Sequence, residues 1–558
     1  MGKYSSSRLL LVAVIASLTC FVMVVYVPSL FKTFEQVETK AVATTVIEDV
    51  TIVDVKSGEL IPNQSIVIEN NRIARIDSKE FVPIPEGAKV YPAVGQYVIP
   101  GLWDMHVHLN DQYETAFPLL LANGVTGLRD MGAGADDIQG RHNLLAKGVL
   151  APRIMHPGSI LDTNPPWYRE PNVRTEQEAR EAVQAMKGHG ASFIKPYAHI
   201  PESILLHIMD EANKQGIHVS GHLPMGVRAE DASNLGLKSI EHLIGMFLAT
   251  SDQEEKVRAD ARKTTYYYEF MESDIEAAKH YDEAKADRLF ALLKKNETWQ
   301  VPTLALTYYT GQAGLDSSII YVPEKVQKEW IKHTDQLDHP SRISKIFMDY
   351  HPISLELIGN MHRAGVPIMA GTDSQFDLPK PLYGFAIHKE LQLFVEAGLT
   401  PHEALQTATL HPAQYMNRED ELGSIEVGKL ADMVLLRNNP LERIEHTQQI
   451  SAVVLDGNVM EYSQLKQMMK TYKPVEIGYG KATSVFSVAV ANEVGAMVTW
   501  DPLKQTVKLQ KGEHLLTFQI NSPIYIWNQK QYYAESAFRI KYGRSLMPIG
   551  VASVIQKW

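Results

Sequence analysis

Short runs in which apolar and polar residues alternate occur on both sides of a long central region. Residues 44–98 contain several such runs, separated by turns of asparagine, glycine and proline. The same pattern returns at residues 422–462. Alternation with a period of two is typical of strands that bury one face. We therefore expect a small β-sandwich built from two parts of the chain, residues 44–98 and 421–465.

The central region, residues 99–420, alternates short apolar runs with stretches typical of helices. Eight apolar runs occur, at residues 98–109, 124–131, 153–158, 192–197, 217–223, 238–244, 299–306 and 366–373. Strands that alternate with helices predict an α/β fold, and eight such units predict a TIM-type (β/α)8 barrel. An open doubly wound sheet is the alternative, but no glycine-rich phosphate-binding fingerprint follows the first strand.

Two terminal segments extend beyond these parts. Residues 475–558 are again strand-rich and predict a small C-terminal α+β domain without a cluster of catalytic residue types. At the other end, an apolar run from Leu9 to Val27 follows the basic residues Lys3 and Arg8. This pattern directs a chain out of the cytoplasm, and the run is about long enough to span a bilayer. Residues 1–30 are predicted to be a transmembrane anchor or a cleaved signal, which makes the protein extracytoplasmic, either membrane-anchored or secreted.

Composition limits the classes of partner that the protein can bind and the donor atoms that it can offer to a metal ion. The chain has 558 residues and a formal net charge of −11 without a basic block, which argues against nucleic acid as a partner. Cys20 is the only cysteine and lies in the apolar N-terminal run. The exported part therefore forms no disulfide and offers no thiolate. A metal ion there must be held by nitrogen and oxygen atoms.

Residue types that ligate metal ions recur at or near the C-terminal ends of five predicted strands, where barrel enzymes place their sites. His106 and His108 are two residues apart on one strand and so share a face. The other four are Lys195, His222, His242 and Asp373. This set predicts a cage of nitrogen and oxygen atoms that suits zinc, with manganese, iron and cobalt as alternatives.

Two of these residues suggest specific chemistry. Burial in a barrel mouth lowers the pKa of Lys195, and a neutral amine can capture carbon dioxide as a carbamate that bridges two cations. An exposed or salt-bridged lysine is the alternative. Asp373 is expected to bind one metal ion and to take the proton of a bridging water, whose pKa two adjacent cations lower. It then returns the proton to the leaving amine.

Several motifs occur in a fixed order: PGLWDMHVHL, GVTGLRDMG, FIKPY, VSGHLP, SIEHLIG, AGTDS, and finally EAGLTPHEALQTATLHPA with LGSIEVGKLADMVLL. Together they resemble the amidohydrolase superfamily, in particular its imidazolonepropionase-like and Xaa-Pro dipeptidase-like branch, over about residues 44–462. The resemblance implies two divalent metal ions, zinc being favoured. It implies that His106 and His108 bind the first ion with Asp373, that His222 and His242 bind the second, and that carboxylated Lys195 bridges them.

The resemblance also implies the activity, hydrolysis of an amide bond in a small-molecule or dipeptide substrate. Tyr197, two residues past Lys195 on the same face, is a candidate for contacting substrate, with packing at the barrel rim as the alternative role. Two other functions stay open, a cyclic amide or lactone hydrolase of the imidazolonepropionase type and a catalytically inactive surface binding protein. The segment VTWDPLKQTVKLQKGEHLLTFQINSPIYIW resembles the N-terminal-like module of copper amine oxidases, and we transfer no copper site from it.

Overall fold

The computed structural model describes the chain from residue 44 onward, with gaps. The described residues are 44–110, 112–132, 134–163, 171–261, 267–311, 317–335, 342–376, 382–471, 484–486, 496–501, 506–519, 524–528, 530–533, 539–541 and 544–548. The predicted membrane segment, residues 1–30, lies outside them. Within the described residues, no helix is both long enough and apolar enough to cross a membrane.

The first described segment consists of five strands with alternating burial. They are β1 (Thr44–Val53), β2 (Leu60–Glu69), β3 (Arg72–Ser78), β4 (Lys89–Pro92) and β5 (Tyr97–Pro100). β1 pairs antiparallel with β2, and β2 pairs antiparallel with β3. β4 and β5 both lie parallel to β1. A short 3-10 helix, Lys79–Phe81, follows β3.

Eight short strands follow, and every pair that they form is parallel. They are β6 (Leu102–Val107), β7 (Val125–Asp130), β8 (Arg153–Met155), β9 (Ile160–Leu161), β10 (Lys195–Pro196), β11 (Val219–Gly221), β12 (Leu237–Glu241) and β13 (Trp299–Val301). β6 pairs with β7 and β7 with β8, while β11 pairs with β12 and β12 with β13. β9 pairs with β10 in between. Parallel strands with helical connections are those of an α/β fold, as the sequence predicts.

Single contacts close these strands into a ring. The N–H of Ser192 donates to the carbonyl of His156 at 2.7 Å and so links β8 to the segment that leads into β10. Parallel bridges complete the circuit, joining Ile194 to Val219, Gln300 to Ile368 and Val107 to Ser374. The eighth run, residues 366–373, makes isolated bridges rather than a regular strand, and its backbone enters the left-handed region at Asp373. The ring has the arrangement of a (β/α)8 barrel.

Helices fill the connections between these strands and bury their apolar faces against the ring. The α-helices are Tyr113–Ala122, Ala135–Ala146, Glu176–Gly188, Glu202–Lys214, Ala229–Asn234, Met246–Ala249, Glu254–Ala261, Tyr267–Ala278, Glu283–Lys295, Leu304–Gly311, Glu324–Asp335, Arg342–Ala364, Phe385–Glu396, Pro401–Thr407 and Leu410–Tyr415. Two 3-10 helices, Ser317–Tyr321 and Ile444–Gln448, accompany them.

The chain then returns to the first sheet. β14 (Met433–Leu436), β15 (Ile450–Leu455) and β16 (Asn458–Glu461) extend the sheet through β5, and the helix Tyr462–Met468 follows. The strand order is β16-β15-β14-β5-β1-β2-β3, with β4 as a further partner of β1. Hydrogen bonds thus join both flanking segments in one continuous eight-stranded sheet, and one apolar cluster takes side chains from both of them. A bidentate ion pair between Arg153 of β8 and Asp432 connects this sheet to the barrel.

The described parts of the C-terminal region are strands. They are β17 (Ser484–Phe486), β18 (Met497–Asp501), β19 (Thr506–Lys511), β20 (His514–Gln519), β21 (Ile524–Trp527), β22 (Lys530–Tyr533), β23 (Arg539–Lys541) and β24 (Arg544–Pro548). β18 to β22 form an antiparallel meander, and β17, β24 and β23 form a second antiparallel sheet. Val507, Leu509, Leu516 and Phe518 of the meander are buried.

Candidate metal centre

The six predicted metal ligands all lie at the same end of the barrel. They are His106 in β6, His108 directly after β6, Lys195 in β10, His222 after β11, His242 after β12, and Asp373 in the eighth run. The carboxyl ends of parallel strands meet at one face of a closed ring, which brings side chains together from distant parts of the chain.

The side chains converge on Asp373. Its Oδ1 lies 3.3 Å from Nε2 of His108 and 3.5 Å from Nε2 of His106. Donor atoms of His106, His242 and Asp373 all lie within 4.8 Å of one another, which is close enough to share one cation. The ring of His222 extends the cluster, with its centroid 4.7 Å from that of His242.

Buried atoms of this cluster have no hydrogen-bond partner among the described residues. They include Nε2 of His106, Nζ of Lys195 and Oδ1 of Asp373. Buried polar atoms are almost always paired, because an unpaired one loses its hydration without compensation. The unpaired atoms include imidazole nitrogen and carboxylate oxygen. Zinc and similar ions bind to this combination of donor atoms. The residues present therefore fit a divalent metal centre.

The protonation states also favour cation binding. Burial lowers the pKa values of His106, His108 and His222 well below the usual value, and the charge of Lys195 lowers them further. Burial lowers the pKa of His242 to about 3. Neutral imidazole is the form that ligates metal ions. Burial also lowers the pKa of Lys195, against the raising effect of the nearby carboxylates.

A strained turn positions Asp373. Its φ is 56°, and its N–H donates to the carbonyl of His106 at 2.7 Å. The buried carboxylate of Asp104 holds the turn by accepting from the N–H and the hydroxyl of Thr372, at 3.0 and 2.7 Å. Gly371 lets the strands approach, since a Cβ there would lie 2.8 Å from Cβ of His106. Left-handed backbone at a non-glycine residue costs free energy and is typical of functional sites.

Glu241, the residue before His242, orients the ring of His106. Its Oε2 lies 2.8 Å from Nδ1 of His106, which leaves Nε2 facing the cluster. Its Oε1 accepts from Arg129 at 2.7 Å and from the Ser239 hydroxyl at 2.5 Å. Arg129 in turn donates to the Tyr415 hydroxyl at 2.9 Å. A carboxylate on the second nitrogen of a metal-binding histidine sets its tautomer and raises its basicity.

Glu241→Gln is expected to weaken metal binding by about 10–100-fold, the usual effect of losing such a partner. Glutamine keeps the size but has one acceptor oxygen, so it cannot accept from both His106 and Arg129. Titration of the metal-depleted protein with Zn²⁺ measures the change. Glu276→Gln, on the exposed face of a helix, is the matched control. Unchanged affinity in Glu241→Gln would mean that Glu241 only balances the charge of Arg129.

A second buried carboxylate, that of Glu390, supports His242 through Thr303. Nδ1 of His242 lies 2.8 Å from Oγ1 of Thr303, which has a φ of 50°. Glu390 accepts the next two backbone N–H groups, of Leu304 and Ala305, at 3.0 and 2.6 Å. The carboxylate thereby caps the helix Leu304–Gly311 and holds Thr303 in place.

Sequence reasoning missed these supporting residues. Arg129 and Glu241 carried a signal, because each places a charge inside an otherwise apolar strand, where it needs a partner. Glu390 carried none, since a charged residue is ordinary on an amphipathic helix. Tyr197, which was predicted, lies beside the cluster, with its ring 4.2 Å from that of His222. Burial raises the pKa of its hydroxyl, so Tyr197 remains a proton donor at neutral pH.

Sequence comparison identifies the barrel and the strands of the first sheet that follow it. The profile of the amidohydrolase family matches residues 97–460, which include all six converging residues. The chain belongs to the amidohydrolase family. This amidohydrolase also contains a copper amine oxidase N-terminal domain, matched at residues 469–555. Both assignments agree with the resemblances found in the sequence. The amidohydrolase family comprises hydrolases that act on carbon–nitrogen bonds.

Curated relatives of this amidohydrolase have differing activities. Adenine deaminase of Listeria monocytogenes is 24% identical over 452 residues, which cover 77% of this chain and 60% of the relative. The chain thus spans about three fifths of the length of the first curated relatives that it matches. Ochratoxinase of Aspergillus niger is 24% identical over 468 residues, covering 71% of this chain and 82% of the relative.

Solved structures share the fold of the amidohydrolase. A Xaa-Pro dipeptidase with bound methionine in the active site superposes with a TM-score of 0.55 at 22% identity, covering 75% of this chain and 100% of that chain. Molinate hydrolase superposes with a TM-score of 0.56 at 19% identity, covering 78% and 99%. A bottromycin amidohydrolase reaches a TM-score of 0.59 at 21% identity, covering 76% and 88%.

Proposed function

We propose that this amidohydrolase cleaves the amide bond of a dipeptide or of an N-acyl amino acid. The observation that carries the proposal is the convergence of four histidines, Lys195 and Asp373 at the mouth of the barrel, with unpaired atoms that face one another. Such a cluster is suited to splitting a stable bond with water, because it can hold cations and a proton carrier within a few ångströms. The likeness to Xaa-Pro dipeptidase and ochratoxinase structures supports the substrate class.

Two divalent ions, with zinc favoured, are the cofactors that we propose. His106, His108 and Asp373 would hold one, His222 and His242 the other, and a carboxylated Lys195 would be shared between them. When bound, such ions lower the pKa of water and polarise the substrate carbonyl. The low pKa that burial imposes on Lys195 keeps part of its amine neutral, as carbamate formation requires.

Asp373 is the proton carrier in this proposal. Its Oδ1 is buried and unpaired, and burial raises the pKa of its carboxyl group. A carboxylate with a raised pKa can accept the proton of the attacking water and return it to the leaving amine. Tyr197 is a hydrogen-bond donor to the substrate, because its hydroxyl stays protonated beside His222.

The test is a substrate screen on the purified chain, supplied with Zn²⁺ and bicarbonate. A library of dipeptides and N-acyl amino acids is incubated with the enzyme, and released amino acids are quantified. We expect the enzyme to hydrolyse a definable set of these compounds. Their hydrolysis should stop when a chelator removes the metal. Turnover of cyclic amides, lactones or adenine instead would place the enzyme with another branch of the family. A protein that holds no metal and hydrolyses nothing would contradict the proposal and favour a binding role.

A further inference from the structure

A second group of polar side chains lies next to the metal centre, on the side of strands β7 and β8. Its centre is Arg141, on the helix Ala135–Ala146 that follows β7, with only 4% of its surface exposed. Electrostatic contacts link its guanidinium to Asp130 at the end of β7, to Tyr113 and to His156 just after β8. The mechanism proposed above uses none of these residues.

Atoms in this group are buried without partners. Nη1 of Arg141, Oδ2 of Asp130 and Nδ1 of His156 have no hydrogen-bond partner within the described parts of the chain. In the part of the chain that is described, Arg141 forms no ion pair with a carboxylate. A guanidinium has five N–H donors and remains charged, so its burial without a partner is strongly unfavourable. An anionic ligand would complete the pairing of this guanidinium.

Asp130 does not supply that anion. Its Oδ1 accepts the backbone N–H of Leu109, at 3.4 Å, instead of meeting the guanidinium. Burial raises the pKa of Asp130 to about 7, although Arg141 acts in the opposite direction. The charge of Arg141 is thus only partly balanced near neutrality.

The polar side chains around Arg141 adjoin the metal centre. The N–H of Met131, directly after Asp130, donates at 2.7 Å to the carbonyl of Val107, which lies between His106 and His108. A Cβ on Gly132 would lie 3.5 Å from Nδ1 of His108. The carboxyl group of Asp130 interacts electrostatically with both Arg141 and Lys195, so Asp130 links the guanidinium to the His108 side of the metal centre.

We propose that Arg141 binds the carboxylate of the substrate, so that the enzyme prefers amides bearing a carboxylate over neutral amides. A guanidinium pairs with a carboxylate through two parallel hydrogen bonds, which gives orientation as well as affinity. The inference rests on the proposed function and deepens it. Dipeptides and N-acyl amino acids carry the required group at their C-terminus, whereas lactones and adenine carry none.

The test uses a probe that cannot be hydrolysed. Levulinate has the structure of N-acetylglycine with a methylene in place of the amide nitrogen. In 5-hydroxy-2-pentanone a neutral hydroxymethyl group replaces the carboxylate of levulinate. Calorimetric titration of the metal-loaded full chain compares their affinities. We expect levulinate to bind about 10–100-fold more tightly, the effect of a hydrogen-bonded charge pair. Arg141→Met should abolish this preference, Arg141→Lys should retain part of it, and exposed Arg443→Met should retain all of it.

Two results would overturn the assignment of Arg141. One is a wild-type chain without preference for levulinate. The other is an Arg141→Met variant that keeps the preference, as expected if the metal ions alone bind the carboxylate. Where Arg141→Met does not fold, Arg141→Lys decides, since an undiminished preference contradicts the proposal. The probe is not hydrolysed, so a chain that prefers levulinate but cleaves no amide would retain the subsite and lose the proposed function.

Discussion

Asp373→Asn is expected to lower kcat for amide hydrolysis by about 10²–10⁴-fold, the usual contribution of a positioned proton carrier. Asparagine has the same shape and keeps an oxygen that can face the metal centre, but it cannot accept and return a proton. KM is expected to change much less than kcat, because the substrate contacts remain. Steady-state kinetics on a substrate from the screen measure both constants, and elemental analysis measures the bound metal.

Asp420→Asn, an exposed substitution of the same kind, is the control for the chemical change itself. A variant that folds, binds metal and keeps the parent's kcat would contradict the role of Asp373 as proton carrier. A variant that loses its metal along with its activity would show that Asp373 acts mainly as a ligand. The turn that contains Asp373 does not depend on its carboxylate, since its contacts run through the backbone N–H and Thr372.

Lys195→Ala is expected to lower the bound metal content and to reduce kcat/KM by about 10³-fold or more. Bound metal ions supply several kcal/mol of transition-state stabilisation, and each 1.36 kcal/mol corresponds to a factor of ten. The substitution also leaves a space where the buried side chain stood, beside Gly221. A short carboxylic acid can fill that space and restore an oxygen bridge. Activity of the variant in formate, acetate and propionate tests this directly.

Lys279→Ala, on an exposed helix surface, serves as the control and should respond to none of these acids. If Lys195→Ala keeps its metal and its activity, Lys195 is a structural lysine and no carbamate forms. If activity is lost but no acid restores it, the charge of the ammonium group, rather than a bridging carbamate, is what the site requires. Omission of bicarbonate should reduce the metal content of the parent chain only if Lys195 forms a carbamate.

The fold followed from local patterns to a large extent. Period-two alternation marked the strands of both flanking segments, and apolar runs followed by helices marked the eight units of the barrel. The eighth unit shows the limit of such patterns. Its run of residues 366–373 is typical of a strand, but it makes only isolated bridges and ends in a turn that contacts to Asp104 and His106 hold.

The supporting network could not be read from the chain. Arg129 and Glu241 are 112 positions apart, and His106 and Glu241 are 135 apart. No spacing rule connects residues so distant, because their distance depends on which strands become neighbours in the closed ring. The same holds for Arg141, because only the packed structure shows that it forms no ion pair with a carboxylate of the described residues.

The amino-acid sequence alone was enough to predict the class of fold, the ligand types at the strand ends and the membership of a hydrolase family. These follow from local periodicity and from motifs a few residues long, since a strand of period two places His106 and His108 on one face without reference to other residues. How the site is held became visible in the packed chain. Closure of the ring placed Glu241 beside His106, set Asp373 in a strained turn and buried Arg141 without a carboxylate partner among the described residues. Burial and pairing are properties of the packed chain, and the pKa values and orientations that suit the site to its chemistry arise from them.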